Sequence, residues 1–196
     1  MDLDVAELRR RLARPAAATS IYGDDRAERE TAGITPAAVL VPIIAHAEGL
    51  TVLFTRRTTQ LKAHSGQVSF PGGRAEPGDA SPQYTALREA QEEIGLPPSR
   101  VEVLGQLPEY HTRTGFRVTP VIGLIQPPLE LVPDAREVDE VFEVPLAFLL
   151  DSANHRRESR QLGARMATYY VIEHHDRTIW GATAGMVVNL YRQLAA

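Results

Sequence analysis

Residues 72–96 constrain this chain more than any other stretch. They begin Gly72-Gly73-Arg74-Ala75-Glu76-Pro77-Gly78-Asp79-Ala80-Ser81-Pro82 and end Leu87-Arg88-Glu89-Ala90-Gln91-Glu92-Glu93-Ile94-Gly95-Leu96. Ser81 suits an N-cap, and Pro82 suits the first helical position, where the missing N–H has no helical partner to lose. Gly95 suits the left-handed residue that closes a helix, and Pro97-Pro98 follows it. The spacing therefore predicts a helix over 81–94. At about 100° per residue, with Glu89 at zero, Glu93 falls at about 40° and Glu92 at about −60°, while Leu87, Ala90 and Ile94 fall between about 100° and about 160°. Carboxylates share one face and apolar side chains the other. Like charges so spaced destabilise a helix by roughly 0.2–0.5 kcal/mol per pair, and by more when desolvated. Hard divalent cations such as Mg²⁺ or Mn²⁺ offset that repulsion through oxygen ligands. An acidic helix face alone is most often just solvated. The glycine pair before it, where backbone can approach an ion or phosphate closely, and the adjacent Arg88 turn the balance towards a site.

The remaining pattern is that of an α/β (α+β) layered domain. Residues 4–13 read as an amphipathic, arginine-rich helix, and 15–35 as an irregular arm, so that 1–35 precedes a domain over 36–196. Residues 37–44 (AAVLVPII) form a buried strand, joined by a turn at 46–49 to a second strand over 50–55. Short apolar runs predict strands at 67–70, 101–107, 116–125 and 138–144, with the glycine pair at 72–73 read as a turn. A short helix is expected over 145–150, two strands over 167–172 and 177–180, and a C-terminal helix over 182–194.

Composition narrows the function. The net charge of −4 over 196 residues gives no basic coat for nucleic acid. An acidic protein that handles phosphates needs metal ions or a local basic patch. With no cysteine, disulfides, thiolate metal sites and cysteine nucleophiles are excluded. No apolar run approaches the roughly 18 residues of a membrane span, and the acidic start Met1-Asp2-Leu3-Asp4 lacks a secretory core. The expectation is a cytoplasmic protein with no membrane or nucleic-acid partner, for which a homodimer is compatible.

The segment Arg88 to Leu96 is similar to the second half of the Nudix signature, G-x5-E-x7-R-E-U-x-E-E-x-G-U, where U is aliphatic. The first half departs: the sixth residue after Gly73 is Asp79, not Glu, and one extra residue precedes Arg88. The resemblance implies a Nudix fold, with a mixed β-sheet sandwiched between helices. It also implies metal-dependent hydrolysis of a diphosphate. Glu89 and Glu93, with Glu92 and Gly73, would hold Mg²⁺ or Mn²⁺. Glu89, Glu92 and Arg88 would serve catalysis, Arg88 by orienting a helix glutamate. Asp79 and Glu76 become loop-acid candidates, and Glu137 and Glu140 candidate general bases alongside Glu89. His111, His155, His174 and His175 read as spectators.

A second pattern precedes the helix: Arg56, Arg57, Lys62 and His64, then Gly66 and Phe70-Pro71-Gly72-Gly73. It resembles the extended motif of the coenzyme A diphosphatase branch, with Thr58 for Ser and Lys62 for the more usual Arg. The resemblance implies coenzyme A or a derivative as substrate, contacted by Arg57, Lys62 and Arg74, with 3′,5′-adenosine bisphosphate and 4′-phosphopantetheine as products. Coenzyme A carries a 3′-phosphate beside its diphosphate, so local cations fit it. Another nucleoside diphosphate-linked substrate (ADP-ribose, a dinucleotide or a nucleoside triphosphate) and a non-catalytic binding module are the rival readings. Trp180 is read as a core or sheet-end residue before a ligand-stacking one.

Overall fold

The computed structural model describes residues 1, 3–15, 34–59, 66–162 and 165–196. In chain order the elements are α1 (Val5–Leu12), β1 (Thr35–His46), β2 (Gly49–Arg57), β3 (Val68–Ser69), β4 (Gly72–Arg74), α2 (Pro82–Ile94), β5 (Val101–Gln106), β6 (Tyr110–His111), β7 (Phe116–Ile125), β8 (Val138–Pro145), α3 (Leu146–Leu149), β9 (Arg156–Leu162), β10 (Arg165–His174), β11 (Arg177–Trp180) and α4 (Gly181–Ala195). Among the described residues, eight strands form one mixed sheet, and β11-β10-β9 form a second, antiparallel one. Strand β1 runs parallel to β7 along its length, from Thr35↔Phe116 to Ile44↔Ile125. Its other edge is shared by β2 near the hairpin turn and by β4 lower down. No described helix is long and apolar enough to cross a membrane.

Strand alternation splits the core into two layers. Ala38, Leu40 and Ile44 of β1, with Val121 and Ile125 of β7, face Ala86, Ala90 and Ile94 of α2. Val41 and Ile43, with Val52, Phe54 and Ile122, face the opposite way, towards Met186, Leu190 and Leu194 of α4. The sheet thus lies between α2 on one face and α1, α3 and α4 on the other. The apolar stripe expected on α2 is the one that packs.

Helix α1 joins that second layer, with Leu8 fully buried. Arg11 and Arg14 donate to the main-chain carbonyls of Leu194 and Ala196, which capping by α4's own chain leaves open. The arm expected over 15–35 lies mostly outside the described residues. Because Leu8 is buried in the shared core, Leu8→Ala is expected to cost about 2–5 kcal/mol. Chemical denaturation of the full chain measures it, and a loss near zero would mean that α1 is not docked in solution.

The glycine pair corrects one expectation. Gly72 and Gly73 are not a turn: with Arg74 they form β4, in register with Val39, Ala38 and Ala37 of β1. Strands β6 and β9 also lacked a sequence signal. Strand β9 is Arg-Arg-Glu-Ser-Arg-Gln-Leu, with no apolar alternation, and is held to β10 by main-chain pairing and by polar side-chain contacts, Ser159 with Thr168 and Arg156 with Glu173.

Candidate active site

Helix α2 has the termini its sequence asks for. Ser81 Oγ accepts from Tyr84 N–H at 3.1 Å, Pro82 opens the helix, and Gly95 closes it at φ 68°. The last carbonyls find partners in the 131–137 loop: Val132 N–H donates to Ile94 O and Asp134 N–H to Glu93 O, each at 2.9 Å. A Cβ on Gly95 would stand 3.0 Å from the Val132 nitrogen, so glycine here serves both the turn and the loop's approach. That loop carries Glu137, whose carbonyl accepts from Thr58 N–H at 2.9 Å. The end of the acidic helix, the end of β2 and Glu137 are therefore tied by main-chain bonds.

The helix carboxylates differ sharply in setting. The Glu92 side chain is 59% exposed, whereas that of Glu93 is 6% exposed, tucked against β4 and β2. Glu93 Oε2 accepts from Gly72 N–H at 3.1 Å, and its Oε1 lies 3.6 Å from Arg57 Nη1. Burial pushes the Glu93 carboxyl up to about 7; the Gly72 N–H and Arg57 pull it down, and the charges of Glu137 and Glu89 add to the rise. Glu89 is raised by the same burial, with Arg88 opposing and Glu92 and Glu137 adding. Glu89 and Glu93 thus share a partly dry space, and the charge of Glu137 is felt by both. Among the described residues, no group of three or more aspartate, glutamate or histidine side chains is placed to hold a metal ion by itself.

Gly73 is where β4 meets that space. A Cβ there would stand 2.5 Å from the Glu89 carboxylate, so the glycine leaves room for it. Arg88 locks the other side. Its Nε and Nη2 donate to the two oxygens of Asp79 at 3.1 and 3.0 Å, its Nη2 also to Arg74 O at 3.1 Å. Its Nη1 lies 3.0 Å from Glu89 and 3.1 Å from Glu92. The fork geometry is bidentate, which a lysine cannot reproduce. Asp79 also accepts from Thr85 Oγ1 at 2.8 Å and Glu76 N–H at 3.0 Å. The Arg88 guanidinium holds the Asp79 carboxyl well below the usual carboxylate range. Asp79 therefore reaches the carboxylates through Arg88, and Glu76 reaches Asp79 through its backbone.

The two base candidates separate. Glu137 lies in the electrostatic reach of Glu89 and Glu93. Glu140 is bound by Arg177 and lies 3.3 Å from Arg56, on the other side of β8. Of the basic residues assigned to substrate, Arg57 faces Glu93 and also lines a cavity of about 460 Å³ that begins at Gly72. Arg74 sits with its guanidinium 5.2 Å over the Phe116 ring, outside that cavity. Lys62 and His64 lie outside the described residues. The sequence did not point to Arg113 and Arg160, which join Arg57 in the cavity wall. They stand on different elements, and no local spacing relates them. Trp180, read first as a core or sheet-end residue, ends β11, lines the cavity and is 40% exposed.

Comparison with known proteins bears out the family resemblance. A NUDIX domain model matches residues 34–165. A protein from Photorhabdus laumondii, described as an uncharacterized Nudix hydrolase NudL, is 44% identical over 160 residues, spanning 81% of this chain and 84% of that one. Its namesake from Escherichia coli K12 is 41% identical over 167 residues, or 85% of this chain and 86% of the relative. Among solved structures, the Nudix hydrolase RenU from M. smegmatis superposes with a TM-score of 0.50 at 25% identity, covering 67% of this chain and 76% of its own. A MutT/nudix family protein from Enterococcus faecalis reaches 0.51 at 16% identity, covering 97% and 74%, and bears on the fold alone. A buried glutamate helix against a glycine strand, a family match over two thirds of the sequence and relatives above 40% identity agree: this chain belongs to the Nudix hydrolase family.

Proposed function

We propose that this hydrolase cleaves the diphosphate bridge of coenzyme A, or of a coenzyme A derivative, to 3′,5′-adenosine bisphosphate and 4′-phosphopantetheine, with Mg²⁺ or Mn²⁺ as cofactor. The observation that carries the reading is the position of Arg57. This residue of the upstream basic motif stands between Glu93 and the cavity, where the acidic helix meets the space available to substrate.

Glu89 and Glu93 would hold the cation, with Glu92 assisting and the main chain of Gly73 beside them. Oxygen donors of this kind suit a hard cation: the Glu89 carboxylate lies against Gly73 and the Glu93 carboxylate against the Gly72 N–H, both beside β4. When bound, the cation supplies charge neutralisation at the diphosphate and a lowered pKa for water. Arg88 acts as a positioning residue, fixing Glu89 and Glu92 from its anchor on Asp79. Arg57 and Lys62 meet phosphate oxygens, and Arg74 contributes a further cationic contact. Glu137 takes the proton of the attacking water. Its loop is tied to both α2 and β2, so the base is set by the same main-chain bonds that finish the helix. Glu140, held by Arg56 and Arg177, keeps a structural role.

The test is a substrate panel with Mg²⁺ or Mn²⁺ and identification of the products. Coenzyme A is expected to yield 3′,5′-adenosine bisphosphate; ADP-ribose or dGTP turning over far faster would overturn the substrate reading. Glu137→Gln is expected to lower kcat on the order of 10²-fold, the lower range for a lost general base, whereas Glu140→Gln changes kcat little. The reverse order in steady-state kinetics would move the base to Glu140.

A further inference from the structure

We infer that the cavity beyond Gly72 receives the 3′-phosphoadenosine end of the substrate, with the base on Trp180 and the 3′-phosphate on Arg160 and Arg113. The inference rests on the coenzyme A reading and adds which half of that molecule enters the cavity. The cavity has the diphosphate end at Arg57 and Gly72. One wall is the 112–114 loop, and the other is the small β9-β11 sheet. Its volume of about 460 Å³ falls in the ordinary range for a small-ligand site.

Charge decides which half fits. Arg113 and Arg160 add to Arg57, and among the described residues no aspartate or glutamate lines the cavity. In a chain of net charge −4, such a wall is selective for an anion. Arg57, at Glu93, already faces the diphosphate position. Two further guanidinium groups in the wall suit a second anionic group, set away from the first. The pantetheine half offers amides, a hydroxyl and a thiol, all uncharged. The adenosine half offers a phosphate on the ribose 3′-oxygen and a flat ring. Guanidinium groups meet a phosphate through paired N–H donors.

The aromatic wall suits the ring. Trp180 ends β11 with its indole still 40% exposed, and the Tyr169 ring packs edge-on against it at 5.8 Å and 61°. Tyr169 fixes the indole's orientation without covering it. A large aromatic held rigid at a cavity wall is a stacking platform for a base. The arrangement also accounts for β9: its polar sequence builds no core, and it carries Arg160 to the cavity.

Trp180 is the single tryptophan of the chain, so its fluorescence reports on this wall alone. The full-length protein would be titrated with 3′,5′-adenosine bisphosphate, AMP and 4′-phosphopantetheine. The bisphosphate is expected to quench the indole and to bind roughly 10- to 100-fold more tightly than AMP, the range for one charge-assisted contact pair. Phosphopantetheine should leave the emission unchanged. Arg160→Ala should abolish most of the preference for the bisphosphate over AMP, and Arg160→Lys should restore part of it, with thermal melting confirming that both variants fold. The assignment is overturned if AMP binds as tightly as the bisphosphate, if phosphopantetheine alone perturbs the indole, if the bisphosphate leaves it unperturbed, or if Arg160→Ala keeps the preference. Hydrolysis of coenzyme A without an indole response to the bisphosphate would sink this assignment and spare the substrate reading. An indole response without coenzyme A hydrolysis would do the opposite.

Discussion

Glu93→Gln is expected to lower kcat on the order of 10³-fold or more, the scale of losing a group that stabilises charge at the reacting centre, while making the metal-free protein more stable. Both effects have one origin. The carboxylate is buried and keeps only the Gly72 N–H and Arg57 as partners, so burial raises its pKa to about 7. A carboxyl whose folded pKa lies above its unfolded value of 4.5 destabilises the fold when ionised. That penalty is absent below about pH 4.5, grows as pH rises through about 7, and is complete above it. Glutamine keeps the shape and an acceptor for Gly72 but carries no charge. At pH 8 without metal the variant should therefore melt a few degrees above wild type, since about 1 kcal/mol corresponds to roughly 2–4 °C at this size. Mg²⁺ or Mn²⁺ should raise the melting temperature of wild type and leave the variant nearly unmoved, because a cation that binds only the native state stabilises it. Unchanged turnover in the variant would remove Glu93 from the metal site. A metal-induced shift as large as that of wild type would do the same.

The paired glycines should fail in opposite ways. In Gly73→Ala the new Cβ meets the Glu89 carboxylate at 2.5 Å, the mobile end of a side chain that can swing aside. The backbone at Gly73 is not in the left-handed region, so alanine fits it without strain. The fold should survive with a melting temperature within a few degrees of wild type. Activity should fall on the order of 10²–10³-fold, since displacement of about 1 Å at a reacting centre costs about 10²-fold and Glu89 is asked to hold the cation as well. In Gly72→Ala the Cβ meets main-chain atoms, Ala38 O and Val39 Cα, each at 2.5 Å, at φ +155°. Neither neighbour can move without breaking β1 from β4, so the cost should appear as about 2–4 kcal/mol of stability. Thermal melts alongside initial rates for the two variants provide the check. A stable but inactive Gly72→Ala, or an unfolded Gly73→Ala, would contradict the placement of Glu89.

Helix α2 was legible because everything that defines it is local. Its N-cap, first-turn proline, C-terminal glycine and apolar stripe lie within one segment, and each acts over a turn or two of backbone. The same holds for β1, β2 and β7, whose β-branched runs are long enough to declare a buried strand. Strand β4 was hidden because Gly72-Gly73 has turn composition, and only pairing with Ala37 to Val39 makes it a strand. Strand β9 was hidden because an exposed edge carries no apolar period.

The site divides along the same line. The spacing of Arg88, Glu89, Glu92 and Glu93 is a property of one helix, so the sequence alone fixed that these carboxylates lie near one another and suit a hard cation. It could not rank them. Only the tertiary structure buries Glu93 between Gly72 and Arg57 while leaving Glu92 in water, because burial depends on what packs above the helix. It could not choose between Glu137 and Glu140 either. They are three positions apart, and the proposal of Glu137 rests on the loop's docking to the end of α2 and on the ion pairs of Glu140 with Arg56 and Arg177. The cavity that joins Arg57 to Arg113, Arg160 and Trp180 was beyond the reach of any local pattern, since its walls come from elements separated by up to 126 positions, from Arg57 to Thr183, and meet only when the two sheets pack.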